Sequence, residues 1–238
     1  MINMNYYFFL NTENKDLNSS IDICNFPPTN LINNYDLKKK LFVYLFYTDG
    51  INWKFRFLDE VDVDCSKKIV KSEIDTSNII EPFILISYKK VKNTSQIFEN
   101  TDDFNSIPSW RCNISLSSNF TSCSYQGEYP LSLTNNLSIV SCSPLFNKKS
   151  INYFSLINIQ KDPSILTKKI EILNLNKKKI GEIFVKTNTV NFVNLNEHFD
   201  FNKDDFYIFK STEIGGIPIY LTISENLKHL SCEHTHPP

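Results

Sequence analysis

The chain has 238 residues, enough for one large β domain or two small ones. At 41% hydrophobic and 21% charged it can bury a core and does not read as disordered, and its net charge of −1 provides no overall field toward nucleic acid or an anionic membrane. Ala is absent and the only Arg are Arg56 and Arg111, whereas Asn, Lys, Ile, Phe and Ser abound, the drift of an AT-rich genome, so runs of Asn or Lys carry little functional weight. Losing the best helix former while gaining β-branched and aromatic residues tilts the chain toward strand.

The first ten residues contain a short apolar patch, Tyr6 to Leu10, without a basic segment before it, and polar Asn11, Glu13 and Lys15 follow. That pattern does not fit a secretory signal, and no run approaches the roughly 18 apolar residues of a membrane span, so the expected location is cytoplasmic. Residues 11–36 are polar and broken by Pro27 and Pro28; they read as loop, with one short helix over 29–39. Residues 41–47 and 52–57 are strand-like and joined by Asp49-Gly50, the strongest short-range hairpin signal. In the second run Trp53, Phe55 and Phe57 alternate with Lys54 and Arg56, a period of two that no helix satisfies.

Further strands are predicted at 68–74, 79–91, 109–116, 120–127, 137–143, 151–159, 168–175, 180–186, 189–195, 205–210, 217–224 and 227–233. Short strands at this spacing, with Asn, Lys and Gly turns and no long amphipathic helix between them, predict an all-β antiparallel sandwich of jelly-roll or Ig-like type. The polar stretch 101–108 is the best candidate boundary. It would separate a β-rich region with an irregular start (1–102) from a C-terminal sandwich (108–238), giving two stacked β domains; one large sandwich with an N-terminal extension is the other option.

Several enzyme classes find no foothold. The five Gly do not cluster into a phosphate-binding loop or a dinucleotide fingerprint, and neither a GxSxG elbow nor an HExxH zinc helix occurs. Six Cys are present, none as CxxC, and the default is reduced thiols. Cys112 and Cys123 flank a predicted hairpin turn and would face each other if the turn centred on Ser117-Ser118; a one-residue change of register separates them.

Three groups carry candidate chemistry. Near the C-terminus Cys232, His234 and His236 share one face of an extended strand, and thiolate with imidazole suits zinc or iron, although further ligands such as His198 or Glu128 would be needed. Trp53 with Arg56 and Trp110 with Arg111 pair the only Trp with the only Arg; a guanidinium can hold a carboxylate or phosphate in a way Lys cannot, while the plainer role is a core indole beside a structural Arg. The stretch 124–130, with Tyr125, Gln126 and Glu128 around Gly127, suits sugar recognition or an ordinary turn. The Lys clusters at turns solvate strand ends and do not make the contiguous basic face nucleic acid requires.

The leading expectation is therefore a non-catalytic β-sandwich that binds a small-molecule or glycan ligand or another protein, with Trp110, Arg111, Tyr125, Gln126 and Glu128 lining the site. The runner-up is a metal-dependent jelly-roll enzyme using His234, His236 and Cys232, with Arg111 holding an anionic substrate. A structural or assembly protein, such as a viral or surface component, fits the same strand pattern.

Overall fold

The computed structural model describes residues 4–10, 14–26, 39–76, 79–98, 112–127, 139–143, 149–198 and 206–234. Their regular elements are nearly all antiparallel β, as predicted, and form four sheets of four strands each. The first sheet runs β1 (Met4–Phe8), β6 (Phe83–Ser87), β3 (Leu41–Thr48), β4 (Trp53–Val61). The second runs β5 (Cys65–Val70), β2 (Asn18–Asn25), β7 (Cys112–Ser117), β8 (Ser122–Gly127). The third runs β13 (Val190–Asn194), β10 (Ser150–Ile157), β15 (Ile217–Ser224), β16 (Leu230–His234). The fourth runs β12 (Lys179–Lys186), β11 (Thr167–Leu173), β14 (Tyr207–Ser211), β9 (Ile139–Ser143). One short helix, α1 (Ser95–Phe98), and two 3-10 turns complete the described elements. None of the described helices is long and apolar enough to cross a membrane.

Two cores hold the sheets. The larger joins the first two sheets, through residues such as Leu45, Ile84, Ile21 and Ile114, to one face of the third. The smaller lies between the opposite face of the third sheet and the fourth. Strand β10 shows how one sequence serves both. Tyr153 and Ile157 enter the larger core, and Phe154 and Leu156 the smaller. On β15, Ile219, Leu221 and Ile223 point to the larger core and Tyr220 to the smaller. Successive side chains of a strand point to opposite faces, so a strand apolar at nearly every position belongs between two layers. In the smaller core Phe154 stacks on Phe209 at 4.8 Å, and Tyr220 tilts against both rings.

The first hairpin carries the predicted alternation. Trp53 and Phe55 pack on the face of β3 that bears Phe46 and Tyr44, with Trp53 stacked on Phe46 at 4.4 Å and Phe98 of α1 against both. The connection is a four-residue loop, since Thr48 pairs with Trp53. Gly50 takes a left-handed φ of +87°, which an L side chain disfavours. The Asp49 carboxylate accepts from the Ile51 and Asn52 amides at 3.0 and 2.7 Å and pairs with Lys54 at 2.6 Å.

A polar buckle ties the first sheet to the third. Asn188, held at φ +59°, donates from Nδ2 to the carbonyls of Asp162 and Ser164, and its Oδ1 accepts from the Gln160 amide. Asn158 accepts from the Asn188 amide and donates to the Gly215 carbonyl. The loop so fixed turns its own carbonyls outward. Those of Gln160 and Lys161 accept from the Trp53 indole at 3.2 and 3.3 Å, and that of Pro163 accepts from Thr48 at 2.8 Å. Beside it, Gly216 lies so close to β10 that a Cβ would sit 2.3 Å from the Ile157 carbonyl oxygen.

Several expectations need correction. Residues 11–36 were expected to be loop, yet β2 lies within them as an inner strand of the second sheet. Its Ile21 and Ile23 enter the core at alternate positions, while polar Ser19 and Asn25 hold the flanking inward positions and conceal the period. Asn25 is buried because its Nδ2 finds the carbonyls of Lys39 and Val61. The strand predicted at 68–74 starts earlier, at Cys65, and ends at Val70 in a 3-10 turn. The strand predicted over 79–91 is confined to β6, Phe83–Ser87. The helix expected over 29–39 falls almost wholly outside the described residues, as does the stretch 101–108. β7 and β8, which follow that stretch, hydrogen-bond into a sheet with β2 and β5, which precede it.

Two outcomes test this account. Trp53→Phe keeps the ring stack but loses the indole donor and should cost about 1 kcal/mol, whereas Trp53→Ala should cost about 3–5 kcal/mol, both read from urea unfolding. The second concerns pH. Lys54, with the two amides, holds the Asp49 carboxyl well below its ordinary value of 3.8, so its contribution to stability is present above that value and fades as pH falls below it. Asp49→Asn should therefore lower the thermal midpoint at pH 7, and the gap to the parent chain should close in acid.

Candidate functional site

The structure brings two of the sequence-derived candidate groups to one place. Tyr125 and Gln126 belong to β8, the last strand of the second sheet, and Cys232 and His234 belong to β16, the last strand of the third. These two edge strands lie side by side. Their preceding turns touch: Ser118 Oγ donates to the Leu227 carbonyl at 2.8 Å, and Lys228 Nζ lies 5.9 Å from the centre of the exposed Phe120 ring. Ser118 also orders its own turn, its Oγ accepting from the Phe120 and Thr121 amides.

Register fixes which way the seam residues face. Cys123 is opposite Leu116, Tyr125 opposite Ile114 and Gly127 opposite Cys112, so Cys123 and Tyr125 turn toward the larger core, where both are partly buried. Across the seam Cys232 is opposite Leu221, and it too packs against that core; His234 is opposite Ile219. Tyr125 is thus a mid-strand residue with its ring against apolar neighbours. Burial pushes the Cys123 thiol up to about 11 and raises Cys232 further, with the Cys123 sulfur next among the causes acting on Cys232. Cys112, wholly buried beside Tyr7, is raised strongly by the same desolvation.

The register also separates Cys112 from Cys123. The turn centres on Asn119 and Phe120, because Ser117 pairs with Ser122, and both Cys are free thiols. Trp53 and Arg56 lie on opposite faces of β4. The indole is structural, and the Arg56 guanidinium donates to the Asp75 carbonyl at 2.8 Å. Trp110, Arg111, Glu128 and His236 fall outside the described residues. Among the described residues no three His, Cys, Asp or Glu side chains gather as a metal site would require.

One surface was missed from sequence. β12 ends the fourth sheet, and its outer edge has no pairing strand among the described residues. It exposes Phe184 (57%) and Ile180 (39%), and Leu175, in the turn before it, is also open. Around them Lys179 bridges Glu182 at 2.6 Å and Glu171 at 3.6 Å. Ile180 sits at a bulge, because Leu173 pairs with Lys179 while Ile172 pairs with Gly181. The signal was in the pattern: Ile183 and Val185 fill the inner face, so apolar Ile180 and Phe184 had to be outside.

Thiol reactivity reports this arrangement directly. Under native conditions iodoacetamide should label the exposed Cys65 at least about tenfold faster than Cys123 or Cys112, because raised thiols hold little thiolate at neutral pH. Comparable rates by peptide mass mapping would refute the placement. Comparison of the chain with known protein families, with characterised proteins and with solved structures finds no match.

Proposed function

We propose that the chain is a non-catalytic interaction protein that engages another protein along the outer edge of β12. The observation carrying this reading is the exposed Phe184 and Ile180 on a terminal strand whose inner face is already filled by Ile183 and Val185. An edge strand offers amides and carbonyls that a partner's extended segment can join, here the stretch before Lys186, whose own amide and carbonyl are held by Asn191, and exposed apolar side chains beside it supply pockets or knobs for specificity. The Lys179, Glu171 and Glu182 charges surround the apolar residues in the way a polar rim surrounds an interface centre.

A glycan ligand has less support. Stacking a sugar needs an open aromatic face, and Tyr125 packs against the larger core. Affinity capture with the whole chain and with Phe184→Lys decides between these. The expected result is a protein retained by the parent and reduced at least about tenfold by the variant, the scale of losing one central anchor. Equal retention by both, or binding on a glycan array that the substitution leaves unchanged, would overturn the proposal.

A further inference from the structure

We propose that Cys123 and Cys232 form an oxidisable pair which closes into a disulfide joining the second sheet to the third. β8 leaves the turn at residues 118–121, and β16 leaves the turn at residues 225–229. Those turns are pinned to each other by the Ser118 to Leu227 hydrogen bond and by Lys228 over Phe120. Starting from the bonded residues and moving the same distance along each strand, five positions beyond Ser118 is Cys123 and five beyond Leu227 is Cys232. The two are level. Register turns both toward the same core, since Cys123 lies opposite buried Leu116 and Cys232 opposite buried Leu221. β8 and β16 are in contact along the seam, and the electrostatic influence of Cys123 on Cys232 agrees with the proximity of the two inward-facing thiols.

The oxidant is a low-molecular-weight disulfide. One thiolate attacks it, forming a mixed disulfide and expelling one small thiolate. The second Cys then attacks the protein-side sulfur and expels the other. One S–S bond breaks and one forms, and the two protons leave on the two small thiols. Cys123, the less strongly raised of the pair, makes the first attack. Closure would add a covalent lock between two sheets that meet here through their turns and through apolar contact, which gives the fold a rigid oxidised form and a looser reduced one.

The test uses the whole chain incubated for hours with excess oxidised glutathione at about pH 8.5, which lifts the small thiolate fraction of both Cys above its neutral-pH level, followed by alkylation and non-reducing peptide mapping. The expected product is one linked peptide containing Cys123 and Cys232, absent from Cys123→Ser and from Cys232→Ser. It should come with a rise of several degrees in the unfolding midpoint that dithiothreitol reverses. Glutathione on exposed Cys65 shows that the reagent is active. Recovery of Cys123 and Cys232 as alkylated monothiols while Cys65 is modified, or linkage of either to a different Cys, overturns the inference. If a Ser variant does not fold, the parent chain's peptide map alone decides.

Discussion

Everything in this fold depends on the two inner strands of the third sheet, β10 and β15, being buried on both faces. β10 and β15 carry apolar side chains at successive positions, so each strand contributes to two cores at once. A sheet of this kind cannot be exposed on either side without leaving large aromatic and branched residues in water. The first two sheets must cover one face and the fourth must cover the other. The layer order follows from that single requirement.

Two-sided burial leaves the question of how the layers keep their relative position, because apolar contact is not directional. The asparagine buckle answers it. Asn158 and Asn188 hold a loop in one conformation through buried hydrogen bonds, and that loop then grips Trp53 and Thr48 of the first sheet. Each of these groups would be a liability in isolation, since an unpaired buried amide is costly. Together they convert an AT-biased surplus of Asn into a positional lock. Composition does not announce this structural use of Asn, because a side chain that satisfies backbone groups has no periodic signature; Asn188 in addition sits at positive φ.

Fold class was legible because it rests on alternation. The Trp53, Phe55, Phe57 face and the Ile170, Ile172 face of β11 are visible as period two, and most other C-terminal strands as short apolar runs between turns. β2 was not, because Ser19 and Asn25 occupy core-facing positions and their burial is licensed by partners far away in sequence, as Lys39 and Val61 are for Asn25. The candidate site was legible only as fragments. Tyr125 and Cys232 were singled out for unrelated reasons, and no local pattern could announce that β8 and β16 are neighbours, since that adjacency arises from the packing of two sheets separated by about a hundred residues of chain. The exposed side of β12 could have been read, because a terminal strand with apolar residues on both faces is an anomaly by its own period.

The bulge at Ile180 has a consequence for self-association. A flat, apolar terminal strand is a template on which identical copies can stack without limit, the route to amyloid. The extra residue between Lys179 and Gly181 bends that template and breaks its hydrogen-bond rhythm. Straight copies of the same segment cannot continue it in register. A bulge of this kind is one of the devices by which sheet edges discourage pairing with copies of themselves.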